Sequence, residues 1–97
     1  MPQASLLFDG NPAPYDQIQI GVAVTVTNQD IGGEFQWDFN LIKKPLNSTV
    51  TLAGAGNSRT FVPDQVGTYI IQIIVNNDPL LTDTGATAVL YFPSNIR

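Results

Sequence analysis

The 97-residue chain has no cysteine and no histidine. Zinc sites built on thiolate or imidazole, disulfide frameworks, and Ser–His or Cys–His nucleophile pairs all require one of these residues, so all are excluded. A small secreted domain usually needs disulfides to supplement a small core, so their absence points to folding in a reducing compartment. Charge is also scarce: 12% of residues are charged, and eight acids face four bases, for a net charge of −4. The bases are Lys43, Lys44, Arg59 and Arg97. They form no basic stripe that could neutralise a phosphate backbone, so nucleic acid is not an expected partner. No stretch approaches the ~20 apolar residues of a membrane-spanning helix, and no membrane partner is expected. The opening MPQASLLFDG lacks a basic segment followed by a long apolar run. It therefore reads as the start of an unprocessed chain without a secretory leader, made in the cytoplasm.

What is present is strand periodicity. In QIQIGVAVTVTN, Ile18, Ile20, Val22, Val24 and Val26 alternate with polar or small residues. In EFQWDFNLI, Phe35, Trp37, Phe39 and Leu41 do the same, and in TYIIQIIVNN the phase is held by Tyr69, Ile71, Ile73 and Val75. Period two with β-branched and aromatic side chains predicts strands. The Gly32–Gly33 pair between the first two runs can supply positive φ for a turn. Shorter strands are predicted in ASLLF near the start, at 48–53, at 58–62 and at 86–92, separated by the turn signals DGNPAP, KKPLN, GAGN, PDQVG and DTG. No segment has a useful 3.6-residue apolar period. About seven short strands at roughly 8–12-residue spacing predict a single all-β domain, a Greek-key β-sandwich. Residues 1–17 are read as an N-terminal segment with the first strand, and 18–97 as the sandwich proper. Val24, Trp37, Phe39, Ile71 and Ile73 are the predicted core.

The order of landmarks carries a resemblance. Trp37 is followed by Pro45-Leu46-Asn47-Ser48, Leu52, Thr60-Phe61-Val62-Pro63-Asp64, Gly67-Thr68-Tyr69 and Val75-Asn76. This resembles the immunoglobulin-like domains of the PKD type found in bacteria and phages, over roughly 22–77. One departure is Asn47, where the pattern has glycine; asparagine also tolerates the left-handed region. The resemblance implies an immunoglobulin-like sandwich in which aliphatics such as Val24 and Ile73 stand where other such domains place cysteines. It also implies that Tyr69 forms a tyrosine corner, its hydroxyl bonded to backbone just upstream. Gly67 would then supply the turn conformation, Pro63 would fix φ at the strand end, and Asp64 would accept N–H groups of the turn.

Small domains of this kind that stand alone serve as capsid decoration (cement) proteins or as tail and fibre parts of phages. The expectation is therefore a non-enzymatic virion protein docking on a particle, on a major capsid protein, another virion protein or copies of itself. The other reading is an adhesion or carbohydrate-binding module of a bacterial surface protein. Candidate sugar-stacking aromatics are Tyr15, Tyr91 and Phe92. Calcium at one end, from Asp30, Asn76 or Asp78, has no dense acidic run behind it, and no cofactor is expected. The remaining acids, Asp9, Asp16, Asp64 and Asp83 among them, are scattered through turn signals and form no paired acid/base set.

The feature that points to a partner is the third periodic run, which is apolar on both faces. With Tyr69, Ile71, Ile73 and Val75 inward, Ile70 and Ile74 flank Gln72 on the outside. Ile42 joins that side, and so does either Val89 with Tyr91 or Leu90 with Phe92. Leu80 and Leu81 add two large apolar residues to a loop predicted over 76–86. An apolar outer face of this kind marks an interaction surface, unless the SLLF segment or a strand changing sheets covers it. The predicted interface is Ile42, Ile70, Gln72, Ile74, Leu80, Leu81, Leu90 and Phe92.

Overall fold

A computed structural model of the chain describes residues 1–90. Seven strands and no helix occur among them: β1 (Leu6–Phe8), β2 (Asn11–Pro12), β3 (Val24–Asn28), β4 (Trp37–Lys43), β5 (Ser58–Phe61), β6 (Gly67–Val75) and β7 (Thr82–Val89). They form two antiparallel sheets, one of order β2-β1-β3-β5 and one of order β4-β6-β7. Two sheets facing each other bury the inward residue of every second position. Leu6 and Phe8 of β1, Val24 and Val26 of β3, and Phe61 of β5 meet Tyr69, Ile71, Ile73 and Val75 of β6 and Val89 of β7. The inward row of β6 is completely buried. Its alternation with half-buried residues follows from its place as the central strand of its sheet.

The 1–17 segment is built into the sandwich. It supplies β1 and β2, and Tyr15 runs beside the edge of β7, where its N–H donates to the Ala86 carbonyl (3.1 Å) and its carbonyl accepts from Ala88 N–H (3.0 Å). The Phe8 ring lies against Gly85 of β7, where an added Cβ would come within 3.0 Å of it.

Four sequence expectations need correction. The 18–27 run is not one strand: Gly21 takes φ +85° and donates to the Pro63 carbonyl. The turn there throws Val22 outward while Ile18 stays buried, and the regular strand starts at Val24. Second, the 48–53 stretch forms no strand. It touches β5 through a single bridge between Ala53 and Thr60, because its first residues are held instead by Asp64. Third, the loop expected over 76–86 is short. Asn76 and Asn77 both have positive φ (57° and 53°), and Asp78 N–H bonds the Val75 carbonyl at 3.0 Å. A second turn follows directly, with Leu81 N–H donating to the Asp78 carbonyl (2.8 Å), so the connection closes at 76–81 and the DTG residues lie inside β7 and not in a turn. Fourth, the inward row of β4 is only half-buried. Trp37, Phe39 and Leu41 pack against the core without being enclosed by it, and Phe35, which shares their phase, is 71% exposed. Among the described residues no regular strand in the opposite sheet covers them, since 48–53 does not fill that place. Phe35 precedes β4, in a segment held by Asn76, whose Oδ1 accepts the N–H groups of Phe35 (2.8 Å) and Gln36 (3.2 Å).

Candidate functional site

The corner at 60–69 is structural in its geometry. Tyr69 is completely buried. Its hydroxyl accepts the N–H groups of Asp64 (3.2 Å) and Gln65 (3.1 Å) and donates to the Gln65 carbonyl (2.9 Å). Its ring packs on Phe61 with centroids 5.3 Å apart. Gly67 has φ +135°, and a Cβ there would meet Pro45 at 2.9 Å, so no other residue fits without movement. Pro63 is among the fully buried side chains. Asp64 differs from expectation. Instead of closing its own turn, it reaches to the segment after Asn47, accepting from Ser48 Oγ (2.7 Å), Thr49 N–H (2.8 Å) and Thr49 Oγ1 (3.2 Å). The Ser48 hydroxyl first, then the Thr49 N–H, hold its carboxyl below the usual range. Asn47 takes φ +70°, the left-handed conformation its position requires.

This corner sets the register of β6, and with it the outer face of the three-stranded sheet. Ile70, Gln72 and Ile74 lie on that face, half-buried. Pairing with β7 places Ala88 beside Thr68, Ala86 beside Ile70, Thr84 beside Gln72 and Thr82 beside Ile74. Pairing with β4 places Asp38 beside Ile74, Asn40 beside Gln72 and Lys43 beside Ile70. The apolar surface is therefore concentrated at the Ile70 end, with Ala86 and Ala88. Ile42, in the bulge between Leu41 and Lys43, is 54% exposed, and Leu90, just past β7, is 57% exposed. The Ile74 end is bordered by Asp38 and Thr82. The continuous apolar face anticipated from the β6 run is thus narrower than expected, because β4 contributes polar residues to it.

Among the described residues neither covering segment is used. The SLLF segment packs in the other sheet, and Tyr15 pairs along the edge of β7 and not over its face. Val89 is buried, which leaves Leu90 on the outside; Tyr91 and Phe92 lie outside the described residues. Leu80 is 92% exposed at the tip of the β6–β7 hairpin. Leu81 departs from expectation: it turns back onto the core, and its carbonyl accepts from Val75 N–H (2.8 Å).

The end of the sandwich where calcium was considered is occupied by internal hydrogen bonds. Asp30 accepts from Asn28 Nδ2, Trp37 Nε1 (3.0 Å) and Asn57 Nδ2 (3.2 Å). Asn76 Nδ2 donates to the Gly33 carbonyl (3.0 Å), and Asp78 Oδ1 accepts from Leu80 N–H (2.9 Å). Among the described residues no group of three or more His, Cys, Asp or Glu is placed to hold a metal ion, and no helix is long and apolar enough to cross a membrane.

Three features were not anticipated from sequence. Asn28, completely buried, accepts from Ser5 N–H (2.7 Å) and donates to the Gln3 carbonyl (3.1 Å), tying the N-terminal segment to β3. Glu34 accepts the N–H groups of Gly32 (2.7 Å), Ile31 (2.9 Å) and Gln3 (3.0 Å). Desolvation pushes its carboxyl up, but the bonds from Ile31, Gln3 and Gly32 outweigh this and lower its pKa to about 2. Arg59 reaches across the open side of the sandwich, its guanidinium 4.7 Å above the Phe39 ring. A glutamate after IGG was the one local signal for the second of these; the other two depend on contacts distant in sequence.

No protein-family model, no curated protein and no solved structure matches the chain.

Proposed function

We propose that the chain is a non-enzymatic docking module of the immunoglobulin-like class, serving as a capsid decoration protein that binds an assembled phage particle through the outer face of β4-β6-β7. The observation that carries this reading is the central strand β6. Its inward row is sealed by the sandwich, while Ile70 and Ile74 stand on an outer face that no described segment crosses, Ile70 with Ala86, Ala88 and the exposed Ile42 and Leu90 at its end of the sheet, and Ile74 between Asp38 and Thr82. Apolar side chains in the middle of an exposed sheet are used where a partner covers them.

The immunoglobulin-like assignment is supported by three features. The division β1-β3-β5 against β4-β6-β7 is that of strands A, B and E against C, F and G. The β3–β4 and β5–β6 connections cross between the sheets. The Tyr69 corner sits at the second crossing. A particle lattice supplies many identical sites, each of which would take one copy through this modest apolar surface. In this role the protein is made in the host cytoplasm, ends in the virion and contacts a major capsid protein or another virion protein. Tail or fibre placement uses the same surface and is separated by where the chain sits on the particle.

The experiment is occupancy on particles assembled from the genome that encodes the chain, compared between the natural protein and Ile70→Lys/Ile74→Lys. Equal occupancy of the two removes the proposed surface.

A further inference from the structure

The second unpartnered feature is an edge. Within the three-stranded sheet β6 is central, and Tyr15 takes up the edge of β7 at Ala86 and Ala88 through one bridge opposite Thr87. β4 pairs only with β6 among the described residues. Two bonds show which of its backbone groups point outward. The Gln36 carbonyl accepts from Asn76 N–H (2.7 Å), on the β6 side, and the Trp37 carbonyl is reached by Arg59 Nη2 (3.5 Å), on the open side. Strand residues alternate in this respect, so Asp38 and Asn40 direct their N–H and C=O groups to β6, and Phe39 and Leu41 direct theirs to the open edge. Beside that edge runs a groove of about 360 Å³ bordered by Phe39, Leu41, Val50 and Leu52. The inward row of β4 is half-buried along the same side.

These elements complement themselves under a twofold axis. We propose that two copies of the chain join along β4, antiparallel and centred on Asn40, to make one continuous six-stranded sheet. A twofold axis perpendicular to the sheet keeps each residue on its own face, so Phe39 lies opposite the partner's Leu41 and Asn40 opposite the partner's Asn40. Phe39 and Leu41 carry the groups that face the edge, so the pairs on either side of the axis are hydrogen-bonded and the Asn40 pair is not. Further out, Asp38 falls opposite the bulge that carries the partner's Lys43. Asp38 and Lys43 sit on the same outer face, since they pair with Ile74 and Ile70. The bulge brings the lysine into this phase, and the arrangement gives two opposite-charge pairs per dimer. Moving the axis to Phe39 also pairs edge-facing groups, but it sets Asp38 against Asn40 and leaves both charges unmatched. A second copy is thus selected as occupant by charge as well as by hydrogen bonding. Arg59, at the Trp37 end of one copy, comes to Lys44 of the other, a like-charge contact that limits the pairing to the short central stretch and keeps the edge from templating open-ended association.

The test uses the full chain. Sedimentation velocity from micromolar to millimolar concentration is expected to show a monomer–dimer equilibrium. Asp38→Lys and Lys43→Asp each place like charges across the axis and are expected to weaken the dimer by about tenfold or more, and the double variant to restore it. In one chain the two residues lie too far apart for the restoration to be internal. A non-hydrogen-bonded antiparallel pair has its Cα atoms about 4.5 Å apart, within disulfide range. The chain has no cysteine, so Asn40→Cys is expected to oxidise to a covalent dimer much faster than Thr84→Cys on the exposed side of β7. A monomer at every concentration overturns the proposal. So does a dimer that ignores both charge changes, or one in which the two cysteine variants cross-link alike.

Discussion

Tyr69 shows how one side chain can determine which residues are available to a partner. Its hydroxyl serves two N–H groups and one carbonyl of the part-buried 64–65 turn. Tyr69→Phe keeps the ring and strands those groups. Leaving buried polar groups unpaired costs about 1–3 kcal/mol, and thermal unfolding is expected to fall by about 4–8 °C for each kcal/mol in a domain of this size. Glu34 acts at the same scale in a different way. Its folded-state pKa is about 2, below its unfolded value near 4.5, so its ionised form stabilises the folded chain. That contribution is complete above about pH 4.5 and is lost as pH falls through about 2. Asp64, also lowered, has the same sign. Denaturant melts of the natural protein and Glu34→Gln are expected to differ by a constant amount above about pH 5 and to converge toward pH 2. A difference that does not change with pH would show that the carboxylate cradle stabilises through shape alone.

At the scale of the element, β6 separates two kinds of isoleucine by one residue. Ile71 is completely enclosed and Ile70 faces outward beside Ala86. Ile71→Ala should cost about 2–5 kcal/mol through lost burial and a residual cavity. Ile70→Ser should cost about 1 kcal/mol or less, the span of strand preference on a half-exposed face. Equal losses would mean that the outer face is already covered within the monomer. The β6 register was legible in the sequence because Tyr69, Ile71, Ile73 and Val75 alternate without interruption and the strand is buried on one side. β4 was read less well. Trp37 and Phe39 share the phase of core residues, but phase reports only which face a side chain takes, and enclosure depends on the opposite sheet. There 48–53 has the β-branched composition of a strand, yet Asp64 holds its start through Ser48 and Thr49, a bond set by tertiary structure. Likewise the loop expected over 76–86 begins where a connection does begin, but its length depended on two successive turns, at the left-handed Asn76-Asn77 and at Asp78 to Leu81. The Ile70 end of the outer face could be anticipated from Ile70 itself; the polar border at Ile74 could not, because it comes from Asp38 across the β4 pairing.

For the whole molecule, the scarcity of charge and the net charge of −4 leave shape and apolar contact as the main terms available for docking. The sheet β4-β6-β7 offers two distinct surfaces: an outer face suited to a lattice, and an edge suited to a second copy. They meet at the Ile42–Lys43 bulge, but Ile70 and Ile74 take no part in the edge pairing, so the Ile70/Ile74 and Asp38/Lys43 variants test them separately. In the proposed role, the outer face is what the particle covers. The most direct measure of this is the occupancy of Ile70→Lys/Ile74→Lys on purified particles, alongside a thermal melt of the free variant. The variant is expected to fold cooperatively, while its affinity for the particle, read from occupancy at subsaturating concentration, falls by about tenfold or more, the equivalent of about 1.4 kcal/mol per site. A folded variant that decorates particles as fully as the natural protein would contradict that role.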